Sequence, residues 1–243
     1  MKIVKLSAIN STNTFLRDLA RASVVDNYTV VVTENQTKGK GQFDNEWISE
    51  RGKNLTFSML CRFEDLNILE TFYLNCAVSL AIYKVLKQYI PAKLTIKWPN
   101  DILSFQKKIC GILIENTVSI DKVQYAIIGI GLNVNQQNFP DNVPNASSLR
   151  LLTGNHFDKD VLLKKLIVEL KIQLALVADQ QFQLLKRNYE KVLYRKDEPA
   201  MFRNDQNGNF MGKILGITKQ GNLIVERDND TVETYDLKEI EFI

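Results

Sequence analysis

Four segments of the chain carry residue types that could act on a charged small molecule. The first is Gln36-Thr37-Lys38-Gly39-Lys40-Gly41-Gln42, directly after an apolar run. Two glycines around a lysine let backbone N–H groups approach a phosphate, and the lysine adds charge. It is not a P-loop, because G-x-x-x-x-G-K-[ST] is absent, and the third glycine position of G-x-G-x-x-G is Asp44. The second is Lys97-Trp98-Pro99-Asn100-Asp101, where a strand ends at Pro99 and an amide and a carboxylate project from the turn. The third, Lys108-Ile109-Cys110-Gly111-Ile112-Leu113-Ile114-Glu115, opens an apolar strand with a lysine, placing an ammonium at the mouth of the core. The fourth is Gly129-Ile130-Gly131-Leu132-Asn133-Val134-Asn135. Glycines inside a strand signal a bulge or the close approach of a ligand, and alternate asparagines offer amides on one side. Taken singly, each segment also reads as plain structure: a solvated hairpin loop, an Asx-turn beside a packed tryptophan, a solvated strand-end lysine, a strand exit.

Composition narrows the chemistry. With 243 residues and 27.9 kDa the chain makes one large domain, or a large and a small one. Its 45% hydrophobic and 24% charged content rules out disorder and fibre-like repeats. A net charge of +3 leaves no global footprint for nucleic acid or an anionic membrane, although a local basic cleft remains open. The single histidine, His156, excludes His-rich zinc sites and the H-E-x-x-H helix, and a serine hydrolase triad would have to use it. Cys61, Cys76 and Cys110 form an odd set in apolar stretches without a C-x-x-C pair, which reads as buried, reduced thiols and a cytoplasmic protein. The N-terminus has no signal-peptide pattern. The apolar stretch 74–90, interrupted by Lys84 and Lys87, reads as too short to span a bilayer.

Several elements must position these groups. Strands are expected at 28–34, 54–60, 94–98, 109–116 and 123–130. A helix is expected over 12–22 after the N-cap Ser11, another over 69–89, and a third region, 160–193, broken near Asp179. The irregular interleaving favours α+β with a mixed sheet. From about Lys196 the chain becomes short strands with turns at Asn207-Gly208, Gly221-Asn222 and Asn229-Asp230, the pattern of a small β-barrel. The expected division is 1–194 and 195–243.

Together the segments resemble one family, the biotin–protein ligases, also called biotin–[acetyl-CoA-carboxylase] ligases. Ser11-Thr12-Asn13 resembles the family's D-S-T-N, with Asn10 for the acid. Residues 36–41 resemble the biotin loop Q-x-x-G-R-G, with Lys40 for arginine. Trp47 and Asn54 sit where the family has W and G-x-N-L. KWPND is identical to the family signature, and Lys108 to Leu113 resembles K-x-x-G-I-L. Gly129 to Asn133 is similar to G-x-G-x-N, and Ser147-Ser148-Leu149 to T-S-L.

The resemblance implies a class II synthetase-like catalytic domain, its mixed sheet flanked by helices, and a small C-terminal SH3-like β-barrel. It implies activation of biotin with ATP and Mg²⁺ to biotinyl-5'-AMP, then transfer to one lysine of a biotin carboxyl carrier protein or domain. Lys108 is implied as the cation bridging the biotin carboxylate and α-phosphate, and Lys40 with Gly39 and Gly41 as their cradle. Asp101 is implied as the group that orients or deprotonates the acceptor amine. Ser11, Thr12, Gln36 and Gly111 match ring-binding positions, with Ile112 and Leu113 lining the slot. Trp47, Asn54, Asn100 and Asn133 match positions around the adenylate, with Trp47 on the adenine side; Asn13, Gln42, Gly129 and Gly131 complete the implied ligand site. No protein-only metal site is implied.

Two departures stand out. Four basic positions of the relatives' loop are here Lys40, Gln42, Phe43 and Asn45, which implies a looser grip on biotinyl-AMP. Ser11-Thr12-Asn13 lies so early that a short form without an N-terminal DNA-binding domain is expected, with no nucleic-acid or membrane partner. Relatives include monomers and edge-to-edge homodimers, and either assembly fits. The rivals are a lipoate or octanoate ligase or transferase, against which KWPND and the tail speak, and a non-catalytic biotin- or carrier-binding protein.

Overall fold

The computed structural model describes residues 2–42, 45–90, 93–204 and 208–243. Seven strands form the main sheet: β1 (Ile3–Leu6), β2 (Val30–Thr33), β3 (Leu55–Arg62), β4 (Leu94–Lys97), β5 (Asp101–Ser104), β6 (Lys107–Ser119) and β7 (Lys122–Leu132). Their order is β1-β2-β3-β7-β6-β5-β4. β1 and β2 run parallel, and the remaining neighbours are antiparallel. This is the mixed sheet expected from the sequence. β1 and β5 were not anticipated. Each has only four residues, too few for alternation to stand out. Asp101 accordingly begins a strand, paired with Lys97, instead of sitting on a turn.

The two faces of this sheet differ in chemistry. The rung Val32, Phe57, Ile130, Ile112 is apolar and faces the core. The adjacent rung reads Thr33, Thr56, Gly131, Gly111, Asp101, Lys97 across six strands. Alternation along each strand sends these two rungs to opposite sides.

Helix α1 (Thr12–Ala22) covers part of the polar face, where Leu16 packs with Val31, Leu60 and Ile127. Ser11 caps it, its Oγ accepting from the Thr14 N–H at 3.4 Å. α2 (Phe72–Lys87) lies in the core on the other face, preceded by the 3₁₀ turn Ile68–Glu70. The short α3 (Leu149–Thr153) leads to α4 (Lys159–Ala178) and α5 (Phe182–Glu190), separated at Asp179 where the sequence placed the break. The stretch Ile68–Lys87 spans 20 residues and is long and apolar enough to cross a membrane, more than its composition suggested. It is the central core helix, packed against α4 and the sheet.

The second sheet is antiparallel: β8 (Pro199–Asn204), β9 (Gly208–Ile217), β10 (Leu223–Arg227), β11 (Val232–Tyr235) and β12 (Glu241–Phe242), in the order β11-β10-β9-β8-β12. Gly221-Asn222 connects β9 to β10 and Asn229-Asp230 connects β10 to β11, while Asn207 lies outside the described residues. Phe202, Phe210 and Ile214 belong to the same apolar core as the main sheet, so that core crosses residue 194.

All three cysteines are free and buried. Burial pushes the Cys61 thiol up to about 12 and raises Cys76 and Cys110 as well. A thiol with a raised pKa supplies little thiolate. The native chain at pH 8 should therefore resist iodoacetamide at all three positions and label fully once unfolded, as mass spectrometry would show.

Candidate active site

The polar face of the main sheet forms the floor of a cleft bounded by residues 36, 40–42 and 45–47 and the start of α1. Its lining includes Ser11, Thr12, Asn13, Gln36, Lys40, Gly41, Gln42, Trp47, Asn100, Asp101, Lys108, Gly111, Ile112, Leu113, Gly129 and Gly131. The structure thus gathers in one place residues that the sequence spreads over about 120 positions. Gly39, Asn54 and Asn133 do not line it.

Lys108 Nζ lies 2.8 Å from Asp101 Oδ1, both side chains partly exposed to the cleft. A β-bulge creates this pair. Between β5 and β6 the register slips, so that Ile102 faces Cys110 while Leu103 faces Lys108, leaving Ile109 as the extra residue. Ile109 and Cys110 both enter the core. Lys108 and Gly111, three residues apart, consequently share the cleft face. Beyond Asp101 on the same rung stands Lys97, whose ammonium burial pushes below its ordinary value, against the opposing pull of Asp101. Asn100 is fixed to β6, its Nδ2 donating to the Ile112 carbonyl at 2.6 Å. The Ile112 side chain belongs to the core, so Ile112 meets the cleft through its backbone.

The other end of the cleft is a hydrogen-bonded chain. The Thr12 N–H donates to Gln36 Oε1 at 2.8 Å. Ser58 Oγ lies 2.7 Å from Thr12 Oγ1 and 2.6 Å from Asn13 Oδ1. Its one proton can serve only one of them. Donation to the Asn13 carbonyl leaves the Thr12 hydroxyl to donate in turn. Asn13 Nδ2 donates to Glu115 Oε2 at 2.8 Å, and Glu115 pairs with Arg17 at 2.7 Å.

The two glycines of β7 give room to protein groups. A Cβ at Gly129 would sit 2.3 Å from Asn13 Oδ1, and one at Gly131 would sit 2.3 Å from the Trp47 indole. Trp47 lies across Gly131 and Gly111, with Lys108 Nζ 6.0 Å from its ring centroid. Among the described residues its Nε1 is buried without a partner, as is Asn133 Oδ1. The Trp47 N–H donates to the Gly39 carbonyl at 3.0 Å, and Gly41 N–H to Asn45 O at 2.6 Å, so residues 39–41 and 45–47 lie against each other. Phe43 and Asp44 fall outside the described residues.

Asn54 and Asn133 brace the cleft from behind. Asn54 Oδ1 accepts from the Val134 N–H at 3.1 Å and its Nδ2 donates to Gln136 Oε1 at 2.5 Å. The Asn133 backbone bonds to Ile109 and Leu149, tying β7 to β6 and α3. Asn135 exchanges two hydrogen bonds with the backbone of Phe157.

A family model described as the biotin/lipoate A/B protein ligase family matches residues 6–133, more than half of the chain. The chain belongs to that family. It is 30% identical over 236 residues to the bifunctional ligase/repressor BirA of Bacillus spizizenii, covering 96% of this chain and 72% of the relative. It is 30% identical over 168 residues to a biotin–[acetyl-CoA-carboxylase] ligase of Mycobacterium tuberculosis, covering 68% and 60%. Among solved structures, the biotin protein ligase of Aquifex aeolicus in complex with biotin and ATP aligns with a TM-score of 0.81 at 26% identity, over 100% of this chain and 98% of that one. The resemblance drawn from the motifs holds in all three comparisons.

Ser58, Thr56 and Glu46 belong to this ligase-family cleft or its network, and motif reasoning passed over them. Asn45, noted there as a departure from the relatives' basic loop, lines the cleft as well. For Thr56 and Ser58 the signal was present: in Leu55-Thr56-Phe57-Ser58-Met59 the hydroxyls alternate with apolar residues, as a two-faced strand requires. Gly131→Ala should drive the Trp47 indole off the sheet. With two tryptophans in the chain, the displacement should appear as a red shift of intrinsic emission. An unchanged spectrum would remove Trp47 from this groove.

Proposed function

We propose that the chain activates biotin with ATP to biotinyl-5'-AMP and transfers the biotinyl group to a lysine of the biotin carboxyl carrier protein or domain of a carboxylase. The observation that carries this reading is the Lys108–Asp101 pair, 2.8 Å apart beside a glycine floor, within the segment that matches the family model. Relatives named as biotin–protein ligases, and a solved relative in complex with biotin and ATP, support it.

In the first half-reaction an oxygen of the biotin carboxylate attacks the α-phosphorus, a P–O bond forms, and pyrophosphate leaves with the electrons of the broken bond. Two anions must approach each other, so a fixed cation contributes most where they meet. Lys108 supplies it, with Lys40 a second cation lining the cleft. Gly39 lies outside that lining and the Gly41 N–H is taken by the Asn45 carbonyl, so the expected glycine cradle reduces to Lys40. Thr12, Gln36 and Ser11 offer donors and acceptors suited to the ureido ring. A buried polar group left unpaired there costs about 1–3 kcal/mol, which gives selectivity for a ring carrying such groups. Leu113 adds apolar wall, and Trp47 offers an aromatic face to the adenylate.

In the second half-reaction a neutral lysine amine attacks the acyl carbon and AMP departs. Once the phosphate engages Lys108, the Asp101 carboxylate is free to accept the proton the amine loses. Mg²⁺ binds mainly through phosphates and water with one or two carboxylates. The cleft carboxylate Glu46 fits that demand, and among the described residues no group of three potential ligands forms a protein cage. The ion would supply charge neutralisation on the phosphates.

The deciding assay is transfer to a recombinant carrier domain with ATP and Mg²⁺, using biotin, lipoate and octanoate in parallel, because the family includes lipoate ligases. Biotin-only labelling is expected. Lipoate labelling would move the chain to the sister activity, and binding without transfer would leave a non-catalytic protein. Lys108→Ala should abolish pyrophosphate release at unchanged circular dichroism, and an unimpaired first half-reaction would remove Lys108 from its role. Asp101→Asn should slow transfer at least about 100-fold while biotin affinity stays within twofold, the size expected for loss of a general base.

A further inference from the structure

The signature turn is held from the second sheet. Trp98 is buried, and its Nε1–H donates to the carbonyl of Gly221, 123 residues away, at 2.8 Å. Gly221 has φ +94°, and a Cβ there would lie 2.1 Å from the ring of Phe72. Only glycine lets the backbone of this turn press so closely on that ring. Phe72 meets Tyr189 edge to face, with centroids 5.9 Å apart. The buried Tyr189 hydroxyl donates to the Pro99 carbonyl at 3.1 Å. The circuit Gly221, Trp98, Pro99, Tyr189, Phe72 is closed, and its two members on the turn directly precede Asn100 and Asp101.

β4 is the edge strand of the main sheet, so no further strand fixes its end. Among the described residues a short bridge between Ile96 and Leu193 pairs with that edge. Asp101 is secured by the ladder to β6 on one side and by its pairing with Lys97 of the edge strand on the other, and what holds residues 98 and 99 fixes the turn that joins those two strands.

We propose that Trp98 is a positioning residue, through which the β9–β10 turn of the second sheet holds Asp101 against Lys108. This rests on the role given to Asp101 above, and it makes the second sheet part of the reacting geometry. Reactions that depend on placed groups are steeply sensitive to displacement, with about 100-fold lost for 1 Å.

The test is Trp98→Phe in the full chain, which keeps an aromatic body and removes the donor. Transfer kcat is expected to fall about 10-fold, with biotin Kd within twofold and the melting temperature within a few degrees. In an Asp101→Asn background the same substitution should change the residual kcat less than twofold, since the group it positions is gone. Tyr189→Phe, which removes the second bond to the turn, should reproduce the pattern. Unchanged kcat in Trp98→Phe, or equal losses in both backgrounds, would overturn the proposal. So would a joint collapse of biotin binding and melting temperature. A crystal structure of Trp98→Phe gives a readout independent of turnover: a lengthened Asp101–Lys108 separation is expected, and a pair still at 2.8 Å overturns the proposal. Failure of the wild-type chain to transfer biotin would instead strike the functional reading.

Discussion

One extra residue in β6 decides where the cation of the cleft stands. Without the bulge at Ile109, alternation would send Lys108 and Gly111 to opposite faces, and Lys108 would point into an apolar core. An uncompensated ammonium there is untenable, because its desolvation outweighs anything an apolar environment returns. The bulge lets Ile109 and Cys110 both fill the core while Lys108 turns out to meet Asp101. The Lys108–Asp101 pair depends on that single slip of register.

The rest of the sheet serves the same division. Its apolar rungs pack against α2, which α4 covers in turn, supplying the rigidity a site needs. Its polar rungs carry glycines, threonines and Ser58, small enough to leave a concave floor. Into that floor descend Asn13 from α1 and Trp47 from the loop, each in a space that a single methyl group would fill. Close packing of this kind leaves few alternative arrangements, which is how flexible polar groups become preorganised.

The two halves of the chain are not independent layers. The apolar core continues from the main sheet into Phe202 and Phe210, and Glu190 of α5 accepts from the Ile217 N–H at 2.9 Å. A division drawn from composition at residue 194 follows the change in strand pattern, whereas the packing crosses it.

The sequence by itself determined which residues could do chemistry and which stretches would be helix or long strand. The KWPND and K-x-x-G-I-L motifs, the Ser11 cap and the break near Asp179 are local signals, readable because capping and periodicity act over a few residues. The hydroxyl stripe of β3 was legible too, in its alternation. Only the tertiary structure decided that Lys108 faces Asp101, since a bulge depends on pairing with a partner strand. The same holds for the glycines of β7, which read as a bulge or the close approach of a ligand: both line the cleft, and both also make room for Asn13 and Trp47. Asn54 and Asn133 turned out to brace the cleft from behind, because their partners come from segments distant along the chain. The bond from Trp98 to Gly221 has no local signature at all. Contacts across more than a hundred residues are set by how sheets and helices pack, and that packing is not written in any short window of sequence.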